Sequence, residues 1–199
     1  MRRKPTFTQI YSRIAALLSL AFALAACTDT QDFSPRPAAK SLVVTNESIL
    51  VVGPPGYCVD TKSNKISSQS AFVLLASCAT IQREALAPQP DFAGVIAVSL
   101  VSGSTPPIRS IAKALTTGRV EGSKLKETSE SELEVSENIL LFQDTATSWR
   151  AFVIVESRAV VTISLKETAH RMDLEKQKSI LRQAALILLA ANRTAQANS

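Results

Sequence analysis

The sequence predicts an α+β fold: a single domain with a mostly antiparallel sheet and two packed helices, the last at the C-terminus. Three observations carry this prediction. Short runs rich in β-branched residues recur along the chain, with turn residues between them. Two other stretches repeat their apolar residues at helical spacing. The order is strands, helix, strands, helix, which suits helices packed on an antiparallel sheet.

The first strand candidates are residues 42–44 (LVV) and 49–52 (ILVV), separated by Asn46-Glu47 as a turn. Gly53-Pro54-Pro55-Gly56 then breaks the chain, because proline fixes φ and offers no N–H to a ladder. Residues 57–59 and 71–78 are further strand candidates, although the longer one also fits a buried helical turn or two. Residues 94–101 (GVIAVSLV) are apolar enough for the middle of a sheet. A helix follows, with Ser104 or Thr105 as its cap and Pro106 and Pro107 in its first turn. Ile108, Ile111, Ala112 and Leu115 form its apolar face, and Gly118 ends it.

Residues 119–137 are polar and charged, a long connection with room for a helical turn or an edge strand. Residues 139–142 are a strand, and 149–156 with 159–165 make a hairpin. In its second arm Val161, Ile163 and Leu165 alternate with Thr162 and Ser164, so one side is apolar and the other polar. The closing helix spans about residues 173–192. It sets Leu174, Ile180, Leu181, Ala184, Leu188 and Ala191 near one face, opposite Lys178, Arg182 and Gln183. The folded domain is thus residues 41–193, and the polar residues 194–199 are a disordered tail.

The N-terminus has another character. Arg2, Arg3, Lys4 and Arg13 form a positive region, and residues 14–25 are an apolar run too short to span a bilayer. Leu24-Ala25-Ala26-Cys27 closes that run. This arrangement resembles the signal peptide and lipobox of bacterial lipoproteins. The resemblance implies cleavage after Ala26, diacylglycerol on the Cys27 thiol and acylation of the new amine. Residues 1–26 are then the signal, and residues 27–40, with Pro35 and Pro37, a lipidated flexible tether. Thr28 follows the acceptor where inner-membrane lipoproteins commonly carry Asp. The resemblance therefore favours an outer-membrane position facing the periplasm.

Processing changes the charge argument. It removes four of the 22 basic side chains and none of the 17 acidic ones, so the net charge falls from +5 to +1. A basic-protein reading, with nucleic acid as partner, disappears with the signal. The membrane is reached through the N-terminal lipid instead, and an envelope protein is the expected partner.

Cys58 and Cys78 remain once Cys27 is acylated. An even pair in an oxidising compartment predicts a disulfide, closing a loop of about 20 residues and contributing roughly 3 kcal/mol. The spacing does not suit a redox-active dithiol, whose cysteines sit two residues apart at a helix start. The segment Gly53-Pro-Pro-Gly-Tyr-Cys-Val-Asp60, with Ala71-Phe-Val-Leu-Leu-Ala-Ser-Cys78, resembles a pattern in small exported proteins of alphaproteobacteria that have no assigned activity. The succession of strands with a closing helix is similar to the Mog1/PsbP-like fold.

No catalytic constellation stands out. His170 is the single histidine, and no Gly-x-Ser-x-Gly elbow accompanies it. One histidine and a bonded cysteine pair do not make a zinc site without several carboxylates, so no metal and no cofactor is expected. The two prolines between Gly53 and Gly56 remove the N–H groups a phosphate loop uses. Tyr57, beside those prolines, is a candidate partner contact, with a turn anchored by the disulfide as the simpler reading. Glu127, Glu130, Glu132, Glu134 and Glu137 make an acidic stretch that suits a basic partner or a solvated loop. The expectation is a non-enzymatic binding or assembly module. An envelope hydrolase with a carboxylate site and a carrier of small apolar ligands are the alternatives.

Overall fold

The computed structural model describes residues 38–45, 48–117, 133–145, 147–167 and 172–197. The signal, Cys27, nearly all of the tether, the turn pair Asn46-Glu47, His170, and Glu127, Glu130 and Glu132 lie outside the described residues.

Ten strands and three helices are present among the described residues. Strands β1 (Ser41–Val44) and β2 (Ile49–Val52) form a separate hairpin. The other eight are β3 (Tyr57–Val59), β4 (Lys65–Ile66), β5 (Ser70–Ser77), β6 (Gly94–Ser102), β7 (Leu133–Val135), β8 (Ile139–Thr145), β9 (Ser148–Val155) and β10 (Ala159–Glu167). They build one antiparallel sheet in the order β3-β5-β6-β10-β9-β8-β7, with β4 also paired to β5. Helix α1 (Cys78–Gln82) follows β5, α2 (Ile108–Thr116) follows β6, and α3 (Leu174–Ala197) closes the chain. The expected α+β architecture is therefore the one observed.

The register follows from the alternation in β10. Val161 and Ile163 face the main core, and Thr162 and Ser164 the other side. Val161 lies opposite Leu100 of β6 and Val153 of β9, while Thr162 lies opposite Ser99 and Phe152. A slip of one residue would put the apolar set on the wrong face, so the pattern fixes the pairing. The β9–β10 turn is tight: Glu156 and Ser157 both have positive φ, and Arg158 N–H donates to Val155 C=O at 2.9 Å. Two consecutive left-handed residues match the right-handed twist of the arms.

Helix α3 and the β1–β2 hairpin cover one face of the sheet. Leu181, Ala184, Ala185, Leu188 and Leu189 of α3 pack with Val44, Ile49 and Val51 of the hairpin and with inward residues such as Val73, Ile96, Val98 and Val153. Each such large side chain contributes about 1.5–3 kcal/mol relative to exposure. Helix α2 covers part of the opposite face, where Ile108, Ala112 and Leu115 meet Leu140, Phe142 and Ile154. Their spacing is one helical stripe, as the sequence pattern requires. Phe142 and Phe152 stack under it with centroids 4.9 Å apart.

Three elements depart from expectation. Cys78 starts α1 rather than ending a strand, so there are three helices and not two. The preceding strand ends at Ser77, where Gly56 C=O accepts from Cys78 N–H at 2.8 Å; φ of +81° at Gly56 lets that turn approach Gln89-Pro90 closely. Neither Ser104 nor Thr105 caps α2; Pro107 precedes it without a side-chain cap bond, its φ already suited to the role. Residues 133–135 form an edge strand at the end of the polar connection, one of the two forms expected there. Finally α3 continues to Ala197, five residues past the expected end at Asn192 and into the expected disordered tail. No glycine or proline interrupts residues 193–197, and Asn192 is held inside the fold.

Candidate binding cleft

A cleft of about 820 Å³ opens between the start of α2 and the turn joining β7 to β8. Ile108 and Ala112 of α2, with Ile154 of β9, give it an apolar floor, and Val135 of edge strand β7 forms a wall at 43% exposure. Arg109 and Glu137, both exposed, lie on its rim. The helix places its residues there by spacing: Ile108 and Ala112 point to the sheet while Arg109 turns to solvent. Ser136 N–H and Oγ–H both donate to Ile139 C=O, which fixes the turn. A second depression, lined by Ala112, Lys113, Thr116, Leu133 and Val135, continues along the same helix–strand boundary.

The lining combines apolar and charged groups. Apolar floor, one cation and one anion at the rim suit an apolar group flanked by polar ones. Glu137 is the one carboxylate among the described residues that line the cleft, and paired-carboxylate chemistry would need a second. Among the described residues no group of three His, Cys, Asp or Glu could hold a metal ion. No helix among them is long and apolar enough to cross a membrane.

The residues singled out from the sequence are spread over the fold. Cys58 and Cys78 are bonded and buried, joining β3 to the start of α1 beside Ala79 and Ala87. Tyr57 is no exposed contact. It is 5% exposed, its ring packs against Phe92 at 5.9 Å, and its hydroxyl donates to Phe92 C=O at 3.0 Å. The burial has a local cause: its place on β3 and the Gly56 turn aim Tyr57 inward, where burial pushes its phenol pKa up.

Of the acidic stretch, Glu134 is engaged within the fold. Arg182 holds it with two donors, Nε at 3.1 Å and Nη2 at 2.6 Å to the same oxygen, and Lys178 Nζ lies 3.0 Å away. The Arg182 hydrogen bond, opposed by partial desolvation and aided by Lys178, holds this carboxyl below its usual pKa. Lys178 is consequently half-buried rather than solvated, and its ammonium also sits 4.9 Å from the Trp149 ring centroid.

Sequence reasoning missed Gln177 and Asn192, the two buried polar residues of α3, each 3% exposed. Gln177 accepts from Trp149 N–H at 3.2 Å and donates to Thr147 C=O at 3.2 Å and Met172 C=O at 3.3 Å. Polar residues on an otherwise apolar helical stripe were the available signal, and it is a weak one.

No family model, no curated protein and no solved structure matches this chain.

Proposed function

We propose that this chain is an exported, lipid-anchored protein of the bacterial envelope, whose α+β domain binds another envelope component through the α2–β7 cleft. The observation that carries the binding role is the make-up of the cleft: exposed Val135 stands over a floor formed by the largely buried Ile108, Ala112 and Ile154, between charged rims on a chain of modest net charge. Leu24-Ala25-Ala26-Cys27 supports the anchor, and the Cys58–Cys78 bond suits an oxidising compartment. The outer membrane, facing the periplasm, is the favoured position because Thr28 follows Cys27.

A photo-crosslinking amino acid at Val135, in the full chain in intact cells, tests the binding role. A discrete protein adduct from Val135, weakened several-fold when Arg109→Glu reverses the charge at the exposed rim, is the expected result. No adduct, or one unaffected by Arg109→Glu, would overturn it. An adduct to lipid alone would favour the carrier reading. For the anchor, Cys27→Ala is expected to abolish incorporation of labelled fatty acid. Labelling that survives this substitution removes the anchor from the proposal.

A further inference from the structure

The described chain begins beside the disulfide. Ala38 packs against Cys58, Cys78, Ala79 and Ala87, and Ala39 C=O accepts from Val59 N–H at 2.7 Å. The lipobox cysteine is eleven residues before Ala38, which is therefore the described residue nearest along the chain to the lipid-bearing position. Next to that point the chain makes a turn after α1. Ala87 N–H donates to Glu84 C=O at 3.2 Å, which sets Ala85 and Leu86 at the tip. Ala87 is buried in the cluster that holds Ala38, while Leu86 is 93% exposed, more than any other large apolar side chain among the described residues. Pro88 is exposed on one side of the tip; on the other are exposed Arg83 and Glu84, and exposed Lys40 follows the Ala38-Ala39 segment.

We infer that the Ala85-Leu86 tip rests in the headgroup region of the membrane that carries the lipid anchor. This rests on the anchored reading of Cys27. At a bilayer surface the exposed Leu86 side chain is transferred into apolar surroundings, and Lys40 meets anionic headgroups. Topology then separates two functions. The disulfide end belongs to β3, at one edge of the sheet, and the cleft to β7, at the other. Six strand spacings of about 4.8 Å put these edges roughly 30 Å apart. The protein would stand with the disulfide edge down and the cleft toward the aqueous side.

Full-length lipidated protein provides the test. Cys27 is acylated and Cys58 and Cys78 are bonded, so Leu86→Cys adds one free thiol for an environment-sensitive fluorophore. The protein is reconstituted into vesicles of phosphatidylethanolamine and phosphatidylglycerol containing nitroxide-labelled lipid, with Val135→Cys as the distant comparison. Quenching by the labelled lipid several-fold greater at position 86 than at 135 is expected. Equal and weak quenching at both sites, in protein whose mass shows the acyl chains, overturns the inference and leaves the anchor standing. A mass without acyl chains overturns both. A blue shift at position 86 only when other envelope proteins are added would assign the tip to a protein partner and sink the lipid contact.

Discussion

Asn192 of α3 pairs with Leu50 of β2 as one peptide group pairs with another. Its Oδ1 accepts from Leu50 N–H at 2.9 Å, and its Nδ2 donates to Leu50 C=O at 2.9 Å and to Leu188 C=O at 2.8 Å. The side-chain amide thus occupies a backbone site on β2 and clips the β1–β2 hairpin to the helix. Gln177 does the same at the other end of α3, for Trp149 and Thr147.

Asn192→Leu keeps the branching and the number of side-chain heavy atoms and removes every one of these bonds, leaving a partly buried N–H and C=O without them. The expected cost is about 2–4 kcal/mol, from a desolvated donor and acceptor together. Urea unfolding at constant m-value measures it, with the exposed neighbour Arg193→Ala expected to change stability by less than about 0.5 kcal/mol.

The Cys58→Ala/Cys78→Ala double variant should lose roughly 3 kcal/mol, since the two cysteines lie 20 apart in sequence. For a domain of this size that is a fall in Tm of about 6–12 °C by calorimetry. Both sulfurs are buried, so the native bond should resist a thiol reductant until the domain opens.

Glu134 gives a small pH signature. Its folded pKa is lowered, so its contribution to stability is present above the unfolded carboxyl pKa of about 4.3 and lost as pH falls through the lower folded value. The side chain is 38% exposed, so solvent screening limits the effect to less than about 1 kcal/mol. Glu134→Gln should lower Tm slightly at neutral pH, and the difference from the parent should vanish in strong acid or high salt.

Tyr57 acts in the opposite sense. Burial raises its folded pKa, so its contribution is complete below the unfolded value of about 10 and is lost as pH rises beyond it. The chain has two tyrosines, Tyr11 and Tyr57, so protein that begins at Cys27 would report Tyr57 alone. Its phenolate absorbance should appear only with alkaline unfolding. Tyr57→Phe, which removes the bond to Phe92 C=O, should cost about 1 kcal/mol.

Local order was set by the sequence itself. Period-two alternation in β10 and the 3.6-period stripe of α2 are read within short windows, because each depends on neighbours in the chain, while the cysteine pair is read from the count alone. Tertiary structure decided what depends on distant partners. The insertion of β10 between β6 and β9 follows from pairing strands far apart in sequence. The burial of Tyr57 depends on Phe92, and the use of Glu134 on Lys178 and Arg182. Gln177 and Asn192 look like surface residues until the strands whose backbone they complete lie beside them. A polar side chain's environment is settled by which orphaned backbone groups the fold brings to it, and no local periodicity encodes that.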